Sequence, residues 1–142
     1  MTQEIKISRQ LANRLLHLAQ ASPGHEICGF ISGKMNDLNK CYPVKNVSEN
    51  PAQRFLLDAA EQVAALKTMR ENGEELLAIY HSHPNAPAIP SKTDLELAAY
   101  LDLIYFIISL NTKGLLEIRG FKITRESYTE LNLLLVETQD GQ

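Results

Sequence analysis

The sequence predicts an α/β domain, because two kinds of apolar pattern alternate along it. Helical spacing recurs in Leu11, Leu15, Leu18 and Ala19 and again in Val63, Leu66 and Met69, while residues 76–80 and 103–110 form short apolar runs of strand length. The second run is almost unbroken, as expected of a central strand covered on both faces. A chain of 142 residues with 44% hydrophobic content has the size and the apolar material for one packed core.

Each element follows from local chemistry. Ile5 and Ile7 alternate with polar neighbours and predict a short first strand, and Ser8 can cap the helix that Pro23 and Gly24 end. Ile27, Cys28, Phe30 and Ile31 suit a strand over 27–32, with Gly29 and Gly33 where a bulge or a close backbone approach is expected. A tight turn at Asn36 and Asp37 leads into an antiparallel partner over 41–47, in which Pro43 implies an edge or bulge position. Asp58 begins the second helix, closed by Asn72 and Gly73 in the manner of a C-terminal cap. It feeds the strand of residues 76–80. Ser91 stands at the N-cap of a third helix whose apolar positions are Leu95, Ala98, Ala99 and Leu101. After the run 103–110, two more strands are predicted over 118–124 and 128–136, the latter with Leu131, Leu133 and Leu135 on one face. There are no repeats or linkers, so residues 1–142 read as one domain with a loose polar tail from about residue 137.

Composition narrows the function classes. Lys and Arg number 14 against 17 acids, a formal net charge of −3, and no basic run tracks a phosphate backbone, so no nucleic acid partner is expected. The N-terminal MTQEIKISRQ has neither a basic start nor an apolar core, and no apolar run approaches the ~20 residues needed to span a bilayer. A cytoplasmic protein without membrane contact is expected. Cys28 and Cys41 are too few and too far apart for a disulfide framework or a Cys-x-x-Cys zinc pair, and read as small buried hydrophobes. On a shared strand face, Cys28 would look toward the same side as Glu26.

Chemistry concentrates in HSHPNAPAIPSKTD, from His81 to Asp94. If the strand runs on through His83, the two histidines leave the same face with α-carbons roughly 6.6 Å apart, close enough for two imidazoles to converge on one ion. Pro84, Pro87 and Pro90 stiffen the loop that follows. Asp94 has two compatible readings: the acid of a Ser-x-x-Asp capping box, and a carboxylate aimed by a helix N-terminus at a cation held by the histidines. His17 and His25 have no matching partner; His17 reads as an ordinary surface or boundary residue, and for His25, beside Glu26, a substrate contact is the alternative by proximity alone.

The pattern His-x-His-Pro, five residues, Pro-Ser, two residues, Asp resembles that of the JAMM (MPN-plus, JAB) metallopeptidases without a gap, in the manner of a short prokaryotic member. The family's upstream glutamate, at the start of a strand and before a glycine-rich segment, is matched by Glu26 in PGHEICGFISGK. Taken alone, Glu26 would read as a solvated strand-end acid. The resemblance implies a cytidine-deaminase-like fold, a curved mixed β-sheet flanked by helices. It also implies one Zn2+ per chain on His81, His83 and Asp94, with Glu26 as general base and Ser91 as hydrogen-bond donor to the developing oxyanion. Three ligands leave a fourth position for water, whose pKa zinc can bring to about 7. The implied reaction is hydrolysis of a peptide or isopeptide bond after the Gly-Gly tail of a ubiquitin-like or sulfur-carrier protein. Between Asp94 and the next core strand there is no room for the insertions with which eukaryotic deubiquitinases grip ubiquitin.

Three other readings are weighed. A non-catalytic scaffold domain of the same fold would lack the ligands, which are complete here. A DNA-associated relative with a similar histidine motif disagrees with the acidic charge. A zinc nucleobase deaminase needs His-x-Glu and Pro-Cys-x-x-Cys, and neither is present.

Overall fold

Alternation along β4 (Glu75–His83) divides the interior in two. Ala78 and Tyr80 face a cluster that includes Ile31, Phe106 and Ile108 and is closed by Leu11, Leu15 and Ala19 of α1 (Arg9–Gln20). Ile79, on the opposite face, joins Phe30, Tyr105, Ile107 and Phe121 beneath Ala65 and Met69 of α2 (Ala59–Glu71). Full burial of such Phe and Ile side chains stabilises the fold by roughly 1.5–3 kcal/mol each.

The structure is a computed structural model and describes residues 3–35, 37–112, 115–124 and 126–137. Its other elements are β1 (Glu4–Ser8), β2 (Cys28–Lys34), β3 (Asp37–Val44), α3 (Lys92–Leu97), β5 (Ile104–Thr112), β6 (Leu115–Ile123) and β7 (Tyr128–Val136). The α/β class is as expected. β2 pairs antiparallel with β3 and β4, β4 runs parallel to β5, and β5, β6 and β7 form antiparallel pairs. The sheet is mixed, but its curvature goes further than expected and closes a barrel in the order β1-β3-β2-β4-β5-β6-β7. Closure comes from β1, which pairs in parallel with β7 along its whole length and meets β3 at one position, Ile7 opposite Leu38. α1 touches β5, β6, β7, β1 and β3, an unbroken arc of the ring, as a helix lying in its concavity must.

Caps fall where expected. Ser8 Oγ accepts from Leu11 N at 3.0 Å, Asp58 Oδ2 accepts from Glu61 N at 2.9 Å, and α2 ends at Asn72 before Gly73, whose φ is +70°. Both expected glycine roles occur. A Cβ on Gly29 would run into the Tyr42 carbonyl and the Tyr80 hydroxyl, and the β2–β3 register shifts at Ser32/Gly33. Pro43 sits opposite Gly29, beyond the one point where β1 reaches β3, so its ring lies on a free edge.

Several boundaries differ. β3 begins at Asp37 and ends at Val44, so Asp37 belongs to a strand rather than a turn, and Asn36 lies outside the described residues. α2 buries Ala65 and Met69, whereas Val63, two residues before Ala65 and so about 200° round the helix, is 66% exposed. α3 stops at Leu97 and does not reach Leu101. Its chain turns extended at Ala98 because Tyr100 is captured: its N–H donates to Tyr105 Oη (3.1 Å), its hydroxyl to Gln62 Oε1 (3.0 Å), and its ring meets Phe30 edge-on. The tail beyond Glu137 lies outside the described residues. No described helix is long and apolar enough to cross a membrane.

Candidate metal centre

β4 carries His81 and His83 at its C-terminal end, on the face that Ile79 shares, and both are buried. α3 brings Asp94 to meet them. Ser91 Oγ accepts from Asp94 N (3.0 Å) and Asp94 Oδ2 accepts from Ser91 N (2.9 Å), so the expected capping box is complete. The other reading of Asp94 holds as well. Oδ2 lies 3.2 Å from His81 Nε2 and 3.0 Å from His83 Nε2, and the two ring nitrogens are 3.1 Å apart.

That triangle needs a positive charge at its centre. His83 Nδ1 is 2.8 Å from the Pro87 carbonyl, and an N–H there donates to it, which leaves Nε2 as a bare lone pair pointing at a carboxylate. A cation resolves the conflict, and so does a proton. Burial works against a charged His83, but Asp94, the Pro87 carbonyl and Glu26 together raise its pKa. Burial likewise opposes a charged Asp94, yet the two imidazoles and the Ser91 N–H hold its carboxyl well below the usual range. The three side chains form a group able to hold a metal ion. Four ligands at 2.0–2.1 Å in a tetrahedron stand roughly 3.3–3.4 Å apart, close to the separations here, and a set of two nitrogens and one oxygen suits zinc.

Glu26 lies beside this triad, but not on a strand. It precedes β2 by two residues in irregular chain, so the shared strand face that would have brought Cys28 into the site does not exist. Cys28 Sγ instead donates to the Val44 carbonyl at 3.3 Å, and burial, with Glu26 and Glu61 nearby, pushes its thiol up to about 12. The Glu26 side chain is buried and its Oε1 has no hydrogen-bond partner. Burial pushes its pKa up to about 8, with His83 opposing and Asp94 adding to the rise. A buried, partnerless carboxyl next to a cation site is suited to handling a proton there.

Two loops complete the centre, and the sequence reading missed both. In one, Ser109 Oγ donates to the Ala86 carbonyl (2.7 Å), fixing the prolines so that Pro87 can orient His83. In the other, Phe55 stacks on the His81 ring with centroids 4.5 Å apart. An aromatic residue directly after the stretch 48–54 was the available signal for the second, and nothing marks a carbonyl acceptor such as Pro87's. A cavity of about 200 Å3 opens beside His81 and Asp94, walled by residues 54–57 and by Leu97, Ala98 and Tyr100. His17 and His25 are both exposed, and neither joins the triad.

Known proteins resemble this chain in sequence and in fold. Residues 8–121 match the model of a family described as prokaryotic homologs of the JAB domain. A desampylase of Haloferax volcanii is 33% identical over 64% of this chain and 67% of its own length. A CysO-cysteine peptidase of Mycobacterium tuberculosis is 29% identical over 92% of this chain and 90% of its own. Among solved structures, the solution structure of a Desulfitobacterium hafniense protein superposes with a TM-score of 0.84 at 34% identity, covering 96% of both chains.

Proposed function

This chain belongs to the family of prokaryotic homologs of the JAB domain, and from that membership we propose that it is a zinc-dependent hydrolase of peptide or isopeptide bonds. Its substrate in this reading is a conjugate or fusion joined to the C-terminal Gly-Gly of a ubiquitin-like or sulfur-carrier protein. The observation that carries the proposal is the convergence of His81 Nε2, His83 Nε2 and Asp94 Oδ2 within 3.2 Å of one another. Relatives named as a desampylase and a CysO-cysteine peptidase support the substrate class.

His81, His83 and Asp94 would hold the metal, with Pro87 fixing the tautomer of His83 through its carbonyl. When bound, zinc supplies an acidified water and a Lewis acid for the carbonyl. Glu26 takes the proton of the attacking water on its carboxylate and returns it to the departing amine, and the burial that raises its affinity for a proton suits it to both steps. Ser91 Oγ already accepts from Asp94 N, and its own proton is left to donate to the oxygen that gains charge. The apolar wall of the cavity beside the triad would accept an extended tail, and a glycine backbone, having no side chain, would approach the buried ligands most closely. The cytidine-deaminase-like arrangement belongs to the same proposal, supported by a central ligand strand with helices on both of its faces. So does a cytoplasmic location, supported by two buried cysteines that remain free.

Mass spectrometry tests the proposal by locating the cut in conjugates that end in Gly-Gly or in Gly-Ala. Cleavage after Gly-Gly, and at least ~10-fold slower cleavage when a glycine becomes alanine, is expected. No cleavage of any glycine-tailed protein by zinc-loaded enzyme would overturn the substrate class.

A further inference from the structure

The segment between β3 and α2 is an Ω-shaped loop of twelve residues, Asn46 to Leu57, and one side chain holds it together. Its neck is closed by Asp58 N to Lys45 O (3.0 Å) and Val47 N to Leu56 O (2.8 Å), with Asn46 and Leu57 bridged. Inside the neck the Asn46 amide uses its whole hydrogen-bonding capacity. Oδ1 accepts from Ser48 N and Leu56 N, both at 3.0 Å, and Nδ2 donates to the carbonyls of Arg54 (3.2 Å) and Glu26 (3.0 Å). Two N–H donors on one side and two carbonyls on the other leave the amide no alternative orientation.

The last of these bonds leaves the loop and ends on the candidate base. Glu26 belongs to no strand, and its backbone is held twice by this one segment: its carbonyl by Asn46, and its N–H by the Pro51 carbonyl at 2.7 Å. Arg54 and Leu56, which Asn46 also binds, flank Phe55, the residue stacked on His81. The metal ligands themselves stand on β4 and α3 and take no hydrogen bond from the loop, while β4 also anchors Ile27, the residue after Glu26, through Ile27 N to Ser82 Oγ (2.8 Å) and Ser82 N to Ile27 O (3.1 Å).

We propose that Asn46 is the positioning residue of the reaction: by cross-linking the Ω-loop to Glu26 it sets the base against a metal triad whose ligands stand on β4 and α3. This deepens the hydrolase reading and rests on it. Since Asn46 bonds to Glu26 and to none of the three metal ligands, a change at Asn46 disturbs the base more than the metal. A misplacement on the order of 1 Å is worth up to about 100-fold in rate.

The test is Asn46→Asp, which keeps the volume and the Oδ1 acceptor but sets an oxygen against the Glu26 and Arg54 carbonyls. Residue-resolved amide exchange should show the Glu26 N–H exchanging at least ~10-fold faster while the amides of His81 and His83 keep their protection. Zinc content should stay at the wild-type level, KM should change by less than ~2-fold, and kcat should fall by ~10- to 100-fold. Asn50→Ala, a change in the same loop whose side chain meets only Gln53 and does not reach Glu26, should leave all four readouts unchanged. If Asn46→Asp does not fold, Asn46→Ser retains one donor and one acceptor and carries the same test with smaller shifts. Unchanged exchange at Glu26, or zinc lost together with activity, would overturn the proposal. Failure of both variants to fold would also overturn it, because Asn46 would then serve the whole fold rather than the base. The exchange readout needs no turnover, so an incorrect substrate class would appear as an inactive wild-type enzyme and not as a change at Glu26.

Discussion

His83 Nε2 lies 3.0 Å from Asp94 Oδ2, the same oxygen that accepts the Ser91 N–H opening α3. One atom is thus both helix cap and candidate metal ligand. The two tasks separate by substitution. His81→Ala or His83→Ala should abolish zinc binding, which in the wild type should approach one ion per chain by elemental analysis. Asp94→Asn keeps an acceptor for Ser91 but should lose metal together with the stability that the carboxylate draws from the two imidazoles, and Asp94→Ala should lose a further ~1 kcal/mol with the cap. Metal retained in the His81→Ala, His83→Ala double variant would remove the assignment.

Ser91 separates capping from chemistry in the same way. Its hydroxyl accepts from Asp94 N, so Ser91→Ala should cost ~1 kcal/mol in a denaturant titration. If the hydroxyl proton also meets the developing oxyanion, turnover should fall by ~100-fold or more with zinc unchanged. A slightly destabilised but fully active variant would leave only the cap.

Gly29 offers a prediction about the scaffold. A Cβ there would meet the Tyr42 carbonyl and lie 2.6 Å from the Tyr80 hydroxyl, with β3 and β4 pressing from either side. Gly29→Ala should therefore lower thermal stability by several degrees, a loss of ~1–3 kcal/mol. Since β2 leads directly from Glu26, turnover should fall with it. Wild-type melting would mean that the strands have room to move apart.

These residues also mark what the sequence made legible. The period of two along β4 places His81 beside His83, and Ser91 with Asp94 is a local capping pattern, so a pair of histidines and a cap could be read from short-range spacing, while Asp94 as a ligand was one of two readings. Gly29 and Gly33 signal close approach and bulge for the same reason. Glu26 was found through resemblance, and its placement was misread. It sits in irregular chain held by Pro51 and Asn46, contacts about 20 residues away or more that no periodicity encodes. Tyr100 ends α3 early through Tyr105 and Gln62, again by tertiary capture over an adequate helical pattern. Barrel closure depends on β1 pairing with β7 at the far end of the chain, which alternation in Ile5 and Ile7 could not foretell.

The charge state of Glu26 carries a prediction of its own in metal-free protein. Burial pushes its pKa from an ordinary 4.5 to about 8, so across that interval the folded protein keeps a proton that the unfolded chain has released. Stability must then fall as pH rises through the window, by up to roughly 1.4 kcal/mol per unit. Glu26→Gln cannot titrate, so its stability relative to the wild type should be near parity at pH 4.5 and grow steadily in its favour up to pH 8. His83 adds a slope of the same sign, since its raised pKa gives stability that is full below its ordinary 6.5 and lost above its folded value, but both proteins share most of that slope. Asp94, held low, contributes stability that is lost only in acid, below this window. Urea titrations of chelated wild type and variant at pH 5 and pH 8 measure the difference directly. Saturating zinc should shrink the gap, because a cation beside Glu26 favours its charged form, while the same variant keeps its metal and loses turnover. A gap that does not widen with pH would mean that Glu26 is ionised throughout and that its burial does not tune it as a base.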